Sequence, residues 1–489
     1  MFKKIIFFIL IGLIFAAPVP AQEKKKENND GAKPLDVLVK YVDEAKFEDF
    51  PEAVKKRAKY LILDNIGCVL GGTQTETGKK YLALARSMGG GNEVTVLGSG
   101  DRVSCLTGGY VNGQLANILD FDDTYDFYSP AHPGIGIVQT ALAVGEAVGA
   151  SGKEMLTAVI LGYESCMHVG RAAGAIFWKT PFIYPFALGT AVVSARLLKF
   201  DRQQIADAIR QAGMWSSAPT RRKFDVESNL LITDVKNNAG GVVSEGITAA
   251  YRAQQGFTCG EHFLEGDFKK WFLAGGELTG YNMLLNGPGK IYRIMEVCFK
   301  PTPSCRFSHP AVTALWTALN RQPVKEEDVK EIVFKGVVRL NFPKWENMLQ
   351  AQFSMYCILS LTALGVEPGP GWYVTGRFND DDVRKLAKKI KLENDPEAEK
   401  LEMRESKFKC SVKVVFRDGT CKEATIHHAK GAPGNPMTEE ELQTKFRANT
   451  IALFPESRVT KIVDTVLNLE EVPRLTTLMK MLSSKKLRK

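Results

Sequence analysis

From about residue 34 to residue 296 the chain repeats one local grammar, apolar positions at helical spacing, and this run constrains the fold more than any other feature. VKKRAKYLILDNIGCVLGG carries the pattern and stops at Gly71 and Gly72, a usual helix terminus. SGKEMLTAVILGYESCMHVGRAAG opens on Ser151 with Glu154 three residues on, a capping-box pattern. ALGTAVVSARLLKF, RQQIADAIRQAGMWSS and GGVVSEGITAAYRAQQGF repeat it, rich in Ala and Gly, so that helices can approach closely. Such segments with no strands between them predict a large all-helical domain over residues 34–296.

The pattern changes near residue 297. VKEIVFKGVVRLNF and FKCSVKVVFRDGTCKEATIHH alternate Val, Ile and Phe with polar residues, and the second holds an Asp-Gly hairpin turn. FNDDDVRKLAKKIKLEND between them reads as a charged amphipathic helix. A smaller α+β unit is therefore expected over 297–442, with helices of 443–489 packing back on the first domain. The fold class is mainly α.

At 489 residues the chain is long enough for about two to three domains and a sizeable core. MFKKIIFFILIGLIFAAPVPA has a basic start, a short apolar run and small residues before Gln22, which predicts an export signal cut after Ala21, or an uncleaved anchor as the alternative. Residues 22–33 read as a disordered tether, and no later stretch is apolar enough to span a membrane. The nine cysteines form no CxxC pair and sit mostly in apolar settings, so they are expected as buried thiols. With Asp418 and Gly419 at the turn, Cys421 should face residue 416 and not Cys410. The net charge of +9 lies largely at the termini and forms no basic stripe with aromatics, which argues against nucleic acid and suits a small anionic partner.

ILDFDDTYDFYSPAHPGIG is the segment that carries chemistry. Asp120, Asp122, Asp123 and Asp126 crowd together before His132, one of six histidines. The spacing fails an EF-hand, because Tyr125 stands at the glycine position and Ala131 at the terminal glutamate position. No convincing dinucleotide, P-loop, HExxH or GxSxG motif occurs, while a Mg or Ca site on the acidic loop stays open at this point. An acidic loop between two apolar helices points into the core, where carboxylates need partners and acquire shifted pKa values.

NGQLANILDFDDTYDFYSPAHPG, ALAVGEAVGASGKEMLTAVILGYE, FKPTPSCRFSHPAVTAL, AQFSMYCILSLTALG and KGAPGNPMTEEELQTKF, in this order, resemble the MmgE/PrpD family, which contains 2-methylcitrate dehydratase and cis-aconitate decarboxylase. The resemblance implies a helical domain with a smaller α+β lid, a homodimer, no cofactor and an active site between the domains. It places Asp120, Thr124 and His132 in the family's acidic loop and HP turn, Lys236 before a Gly-rich helix start, and Lys300, Cys305 and His309 in the lid motif. One position departs from the pattern: Thr180 stands where a second histidine is usual. The decarboxylase's lid tyrosine is also missing, with Asn341 near its place and Tyr184 the nearby group that would compensate.

The expected activity is a lyase on a small di- or tricarboxylate, a hydro-lyase first and a decarboxylase second. His132 would transfer the proton, Asp120 would hold His132 or act as base, and Lys236 and Lys300 would hold carboxylates. Thr124, Thr180, Tyr184 and His309 are the expected substrate-binding residues, with His309 the more structural because it starts a helix at Pro310. The alternatives are an isomerase or epimerase of a related carboxylate, and a non-catalytic exported carboxylate-binding protein.

Overall fold

Helix α5 (Gly134–Ala147) is apolar on every side, and each residue from Gly134 to Glu146 is buried, so it forms the centre of the larger core. Around it stand α1 (Pro34–Glu44), α2 (Glu52–Gly72), α3 (Glu76–Met88), α4 (Cys105–Asn117), α6 (Gly152–Ala173), α7 (Tyr184–Leu197), α8 (Arg202–Trp215) and α9 (Ala239–Gln254). The computed structural model describes residues 33–126, 131–173, 184–215, 234–260, 264, 283–405 and 408–487. The expected export signal lies outside the described residues. The described residues from 33 to 487 pack as one compact unit.

Local signals act as the sequence predicts. Helix α2 ends at Gly72. Ser151 Oγ accepts from the Glu154 N–H at 3.3 Å, and Glu154 Oε2 accepts from the Ser151 N–H at 2.8 Å, which closes the capping box. Small residues bring α6 and α7 together: a Cβ on Gly189 would stand 2.9 Å from the Gly162 carbonyl oxygen. Residues of the C-terminal helices, among them Leu442, Phe446, Val459 and Leu478, join the same core as Leu61, Leu115 and Val138.

The first region is not purely helical. β1 (Val94–Thr95) pairs antiparallel with β2 (Arg102–Val103), a ribbon too short to leave a period-two signature. Glu146 of α5 fastens it, accepting from the Thr95 N–H at 2.7 Å and the Thr95 hydroxyl at 2.8 Å.

A second core gathers residues from Cys305 to Val414 under a four-stranded sheet of order β4-β3-β5-β6, with β3 (Val329–Gly336), β4 (Ile390–Asn394), β5 (Cys410–Phe416) and β6 (Cys421–Ile426). β3 runs parallel to β4 and antiparallel to β5. The segment expected as one charged helix is split: Asp381–Ala387 is helical, but Ile390–Asn394 is a strand whose Leu392 pairs with Phe334. The lysine-rich stretch satisfies both periods, and the open edge of β3 decides. In the hairpin Cys421 faces Val415, one residue from the expected partner, and Cys410 faces Ile426, so these two cysteines do not meet. All nine cysteines are free thiols. A third cluster, with Phe121, Leu119 and Cys68 against Val312, Trp345 and Trp372, joins the acidic loop to the sheet-bearing part.

Candidate active site

The acidic loop leaves α4 through a left-handed turn at Asp120, with φ of 48°, a conformation that aspartate tolerates better than most residues. The turn directs the Asp120 carboxylate at two cations from distant segments. Lys236, two residues before the Asn238 cap of α9, brings its Nζ to 2.6 Å from Asp120 Oδ1. Lys300 donates to the same oxygen and, at 2.9 Å, to the Asp120 backbone carbonyl. Asp120 and Lys300 are fully buried and Lys236 nearly so. Burial alone would raise the Asp120 carboxyl, but Lys236 and Lys300, with His132 behind them, hold it far below the carboxylate range. Burial alone would lower Lys300, and Asp120 and Asp122 reverse that.

Asp122 points elsewhere. Its Oδ2 lies 2.6 Å from His132 Nδ1, and its Oδ1 accepts from Asn117 Nδ2 at 2.7 Å. Burial opposes its charge, but His132 and Lys300 keep it ionised. An ionised carboxylate only accepts, so His132 Nδ1 carries the hydrogen and Nε2 is left as the basic nitrogen. Burial and Lys236 depress the His132 pKa, and Asp122 restores only part of it. The ring is therefore a neutral base near pH 7. The expectation that Asp120 holds His132 is corrected: Asp122 holds the imidazole and Asp120 holds the lysines. The N-cap of α5 is Pro133, one residue after His132.

Asp123 faces the opposite way, into the helices. Asn65 Nδ2 donates to its Oδ1 at 2.9 Å, while the Tyr163 hydroxyl at 3.1 Å and the Gly134 N–H at 3.3 Å donate to its Oδ2. Burial and then Asp122 push its pKa up to about 7. Behind it, Lys445 of the helix Glu439–Thr450 donates to the Phe121 carbonyl at 2.6 Å and pairs with Asp64 at 2.6 Å.

Thr124 is held in place from both sides. Its N–H donates to the Cys298 carbonyl at 2.8 Å, its carbonyl accepts from the Cys298 N–H at 2.6 Å, and its hydroxyl donates to Asp126 at 3.1 Å. His309 starts the helix His309–Leu319 and lies 3.2 Å from the Ser304 carbonyl through Nε2. Burial and then Arg306 and Lys300 drive its pKa well down, so its imidazole is neutral. Thr180 lies outside the described residues, as does the side chain of Tyr184, the first residue of α7. His132, Asp120, Lys236 and Lys300 therefore meet, with Thr124 on the same loop. The reading from sequence missed the roles of Asp122, Asp123, Asn117, Asn65, Tyr163 and Lys445. The two aspartates stood in the motif, but which carboxylate faces which partner depends on the turn at Asp120.

Donor atoms of Asp120, Asp122 and His132 lie within 4.8 Å of one another, close enough to share a metal ion. Two ammonium groups already bear on Asp120 Oδ1, and a divalent cation there would face both. The arrangement supplies its own cations.

The family model of the MmgE/PrpD N-terminal domain matches residues 36–278, and that of the MmgE/PrpD C-terminal domain matches residues 302–471. The chain belongs to the MmgE/PrpD family. Among its relatives, cis-aconitate decarboxylase of Mus musculus is 24% identical over 459 residues, 89% of this chain and 91% of that protein. Cis-aconitate decarboxylase of Aspergillus terreus (strain NIH 2624 / FGSC A1156) is 23% identical over 476 residues, covering 89% and 93%. The Homo sapiens enzyme of that name is 24% identical over 458 residues, covering 88% and 91%. Among the described residues no helix is long and apolar enough to cross a membrane.

Proposed function

We propose that this MmgE/PrpD protein is a cofactor-independent lyase that decarboxylates an unsaturated tricarboxylate of the cis-aconitate type. The observation that carries the reading is a neutral imidazole, His132, fixed by Asp122 beside two lysines that share the Asp120 carboxylate. The relatives named cis-aconitate decarboxylase favour carbon–carbon over carbon–oxygen cleavage. On this reading the sheet-bearing part is a lid, the protein works as a homodimer, and residues 1–21 direct its export.

The substrate's carboxylates approach Lys236 and Lys300 and offset the positive field that depresses His132. The imidazole then takes a proton from solvent water on Nε2. The bond from the skeleton to one carboxylate breaks, carbon dioxide leaves, and the electron pair passes into the remaining conjugated carboxylates. The lysines stabilise that charge, and His132 returns its proton to carbon. One carboxylate leaves as carbon dioxide and one proton enters, which balances the step.

Dehydration of a 2-methylcitrate-type substrate is the second reading, supported by the family resemblance. It needs an acid for the departing hydroxide, and Asp120 and Asp122 are both held ionised. Proton NMR of the purified protein with cis-aconitate, 2-methylcitrate, citrate and smaller dicarboxylates in D₂O tests the proposal. Loss of carbon dioxide with one deuterium gained is expected, and water loss would establish the dehydratase instead. Exchange without net product would indicate an isomerase, and no change with any compound would overturn the lyase in favour of a binding protein.

A further inference from the structure

Lys300 and Asp120 are 180 residues apart, and something must set their spacing before any substrate arrives. Two devices span the same gap. One is the backbone pairing of Thr124 with Cys298, closed in both directions. The other is an ion pair. Arg306 donates to Asp126 Oδ2 from Nε at 2.8 Å and from Nη2 at 2.6 Å. The same oxygen accepts from the Cys298 thiol at 3.3 Å, while Asp126 Oδ1 accepts from the Thr124 hydroxyl at 3.1 Å. The Arg306 side chain is 2% exposed and that of Asp126 is 7% exposed.

From these contacts we propose that the Asp126–Arg306 pair is a positioning clasp that sets Lys300 against Asp120. Asp126 ends the described stretch of the acidic loop six residues after Asp120, and Arg306 follows Lys300 by the same interval. Each partner thus anchors the segment that carries one member of the Asp120–Lys300 pair. A planar guanidinium with two hydrogen bonds to one carboxylate fixes angle as well as distance, which a lysine at 306 would not do. Burial removes water as an alternative partner, so neither side chain can leave without stranding the other. The Arg306 Nη1 contact with the Lys430 carbonyl, at 3.5 Å, ties the clasp to the segment after β6. Neither residue has a role in the proton transfer. The consequence for catalysis rests on the proposed carboxylate site, whereas the placement of Lys300 does not.

The test reads Lys300 directly in the full chain. Reductive methylation with formaldehyde and a borane, followed by peptide mass spectrometry, gives the labelling rate of each lysine. Lys445, buried and paired with Asp64, is the internal control for general loosening. Asp126→Asn and Arg306→Met should each raise the Lys300 rate at least tenfold while Lys445 stays unchanged. Arg306→Lys should bring the rate partly back. Turnover of the substrate identified by NMR should fall at least tenfold in the first two variants and recover partly in the third. Lys300 and Lys445 accelerating together, or Lys300 unchanged in both variants, would overturn the clasp. A wild-type protein inert toward every carboxylate would instead count against the lyase reading, and the labelling rates would still decide the clasp.

Discussion

Lys300 holds Asp120 twice, through the carboxylate Oδ1 and, at 2.9 Å, through the backbone carbonyl. The left-handed turn and the charge that it presents are therefore fixed by one side chain from a distant segment. Removing that side chain strands a buried carbonyl and leaves the buried Asp120 carboxylate to Lys236 alone.

Lys300→Met should lower the unfolding free energy by about 3–5 kcal/mol, the range for breaking a buried pair at one partner. Lys236→Met should cost less, because Lys236 is paired with the side chain alone. Urea unfolding at pH 7 measures both. Equal losses would show that the backbone contact adds nothing.

His132 should titrate below the ordinary histidine value in the free protein, since burial and Lys236 outweigh Asp122. Proton NMR of its ring should give a midpoint under 6.5. Lys236→Met should move that midpoint upward and Asp122→Asn downward. His132→Ala should reduce turnover by roughly 10²–10⁴-fold, the usual worth of a general acid–base group. An unchanged rate would remove His132 from the chemistry.

Asp123 predicts a pH dependence of stability with an unusual sign. Its folded pKa of about 7 exceeds the ordinary 3.8, so between these values the native state keeps a proton that the unfolded chain has released. Its contribution to stability is full below about pH 4, falls as pH rises toward 7, and is level above that. Asp120 behaves oppositely: its pKa is lowered, so its contribution is present above 3.8 and is lost in acid. Asp123→Asn should therefore gain stability relative to wild type between pH 4 and pH 8, by up to roughly 4 kcal/mol at 1.36 kcal/mol per pKa unit. Denaturant unfolding at the two pH values measures this, and a difference independent of pH would contradict the shift.

Gly134 packs where no side chain fits. A Cβ there would lie 2.0 Å from Asp123 Oδ1, 2.3 Å from Asn65 Nδ2 and 2.6 Å from the Tyr163 hydroxyl. Gly134→Ala should break the hydrogen bonds to Asp123, displace His132 two residues earlier, and cut turnover at least tenfold. Its melting temperature should fall as well, by several degrees. Full activity in a stable Gly134→Ala protein would show that the contacts around Asp123 do not position the histidine.

The sequence by itself determined the helical majority, the change of period near residue 297 and the acidic loop with its histidine. Periodicity and caps are local properties, and the acidic loop is contiguous, so Asp120 and His132 were legible together. Only the tertiary structure decided the partners. The four-residue ribbon of β1 and β2 was too short to show a period. Strand β4 hid in a stretch that reads equally as helix, and β3 selected it. Among the aspartates, one backbone turn sends Asp120 to the lysines, Asp122 to His132 and Asp123 to Asn65 and Tyr163. Apart from His132, those partners come from α2, α6 and segments beyond residue 230, and sequence spacing carries no information about which of them arrives at which oxygen. Electrostatic role follows from the neighbours that burial imposes, and burial is a property of the whole fold.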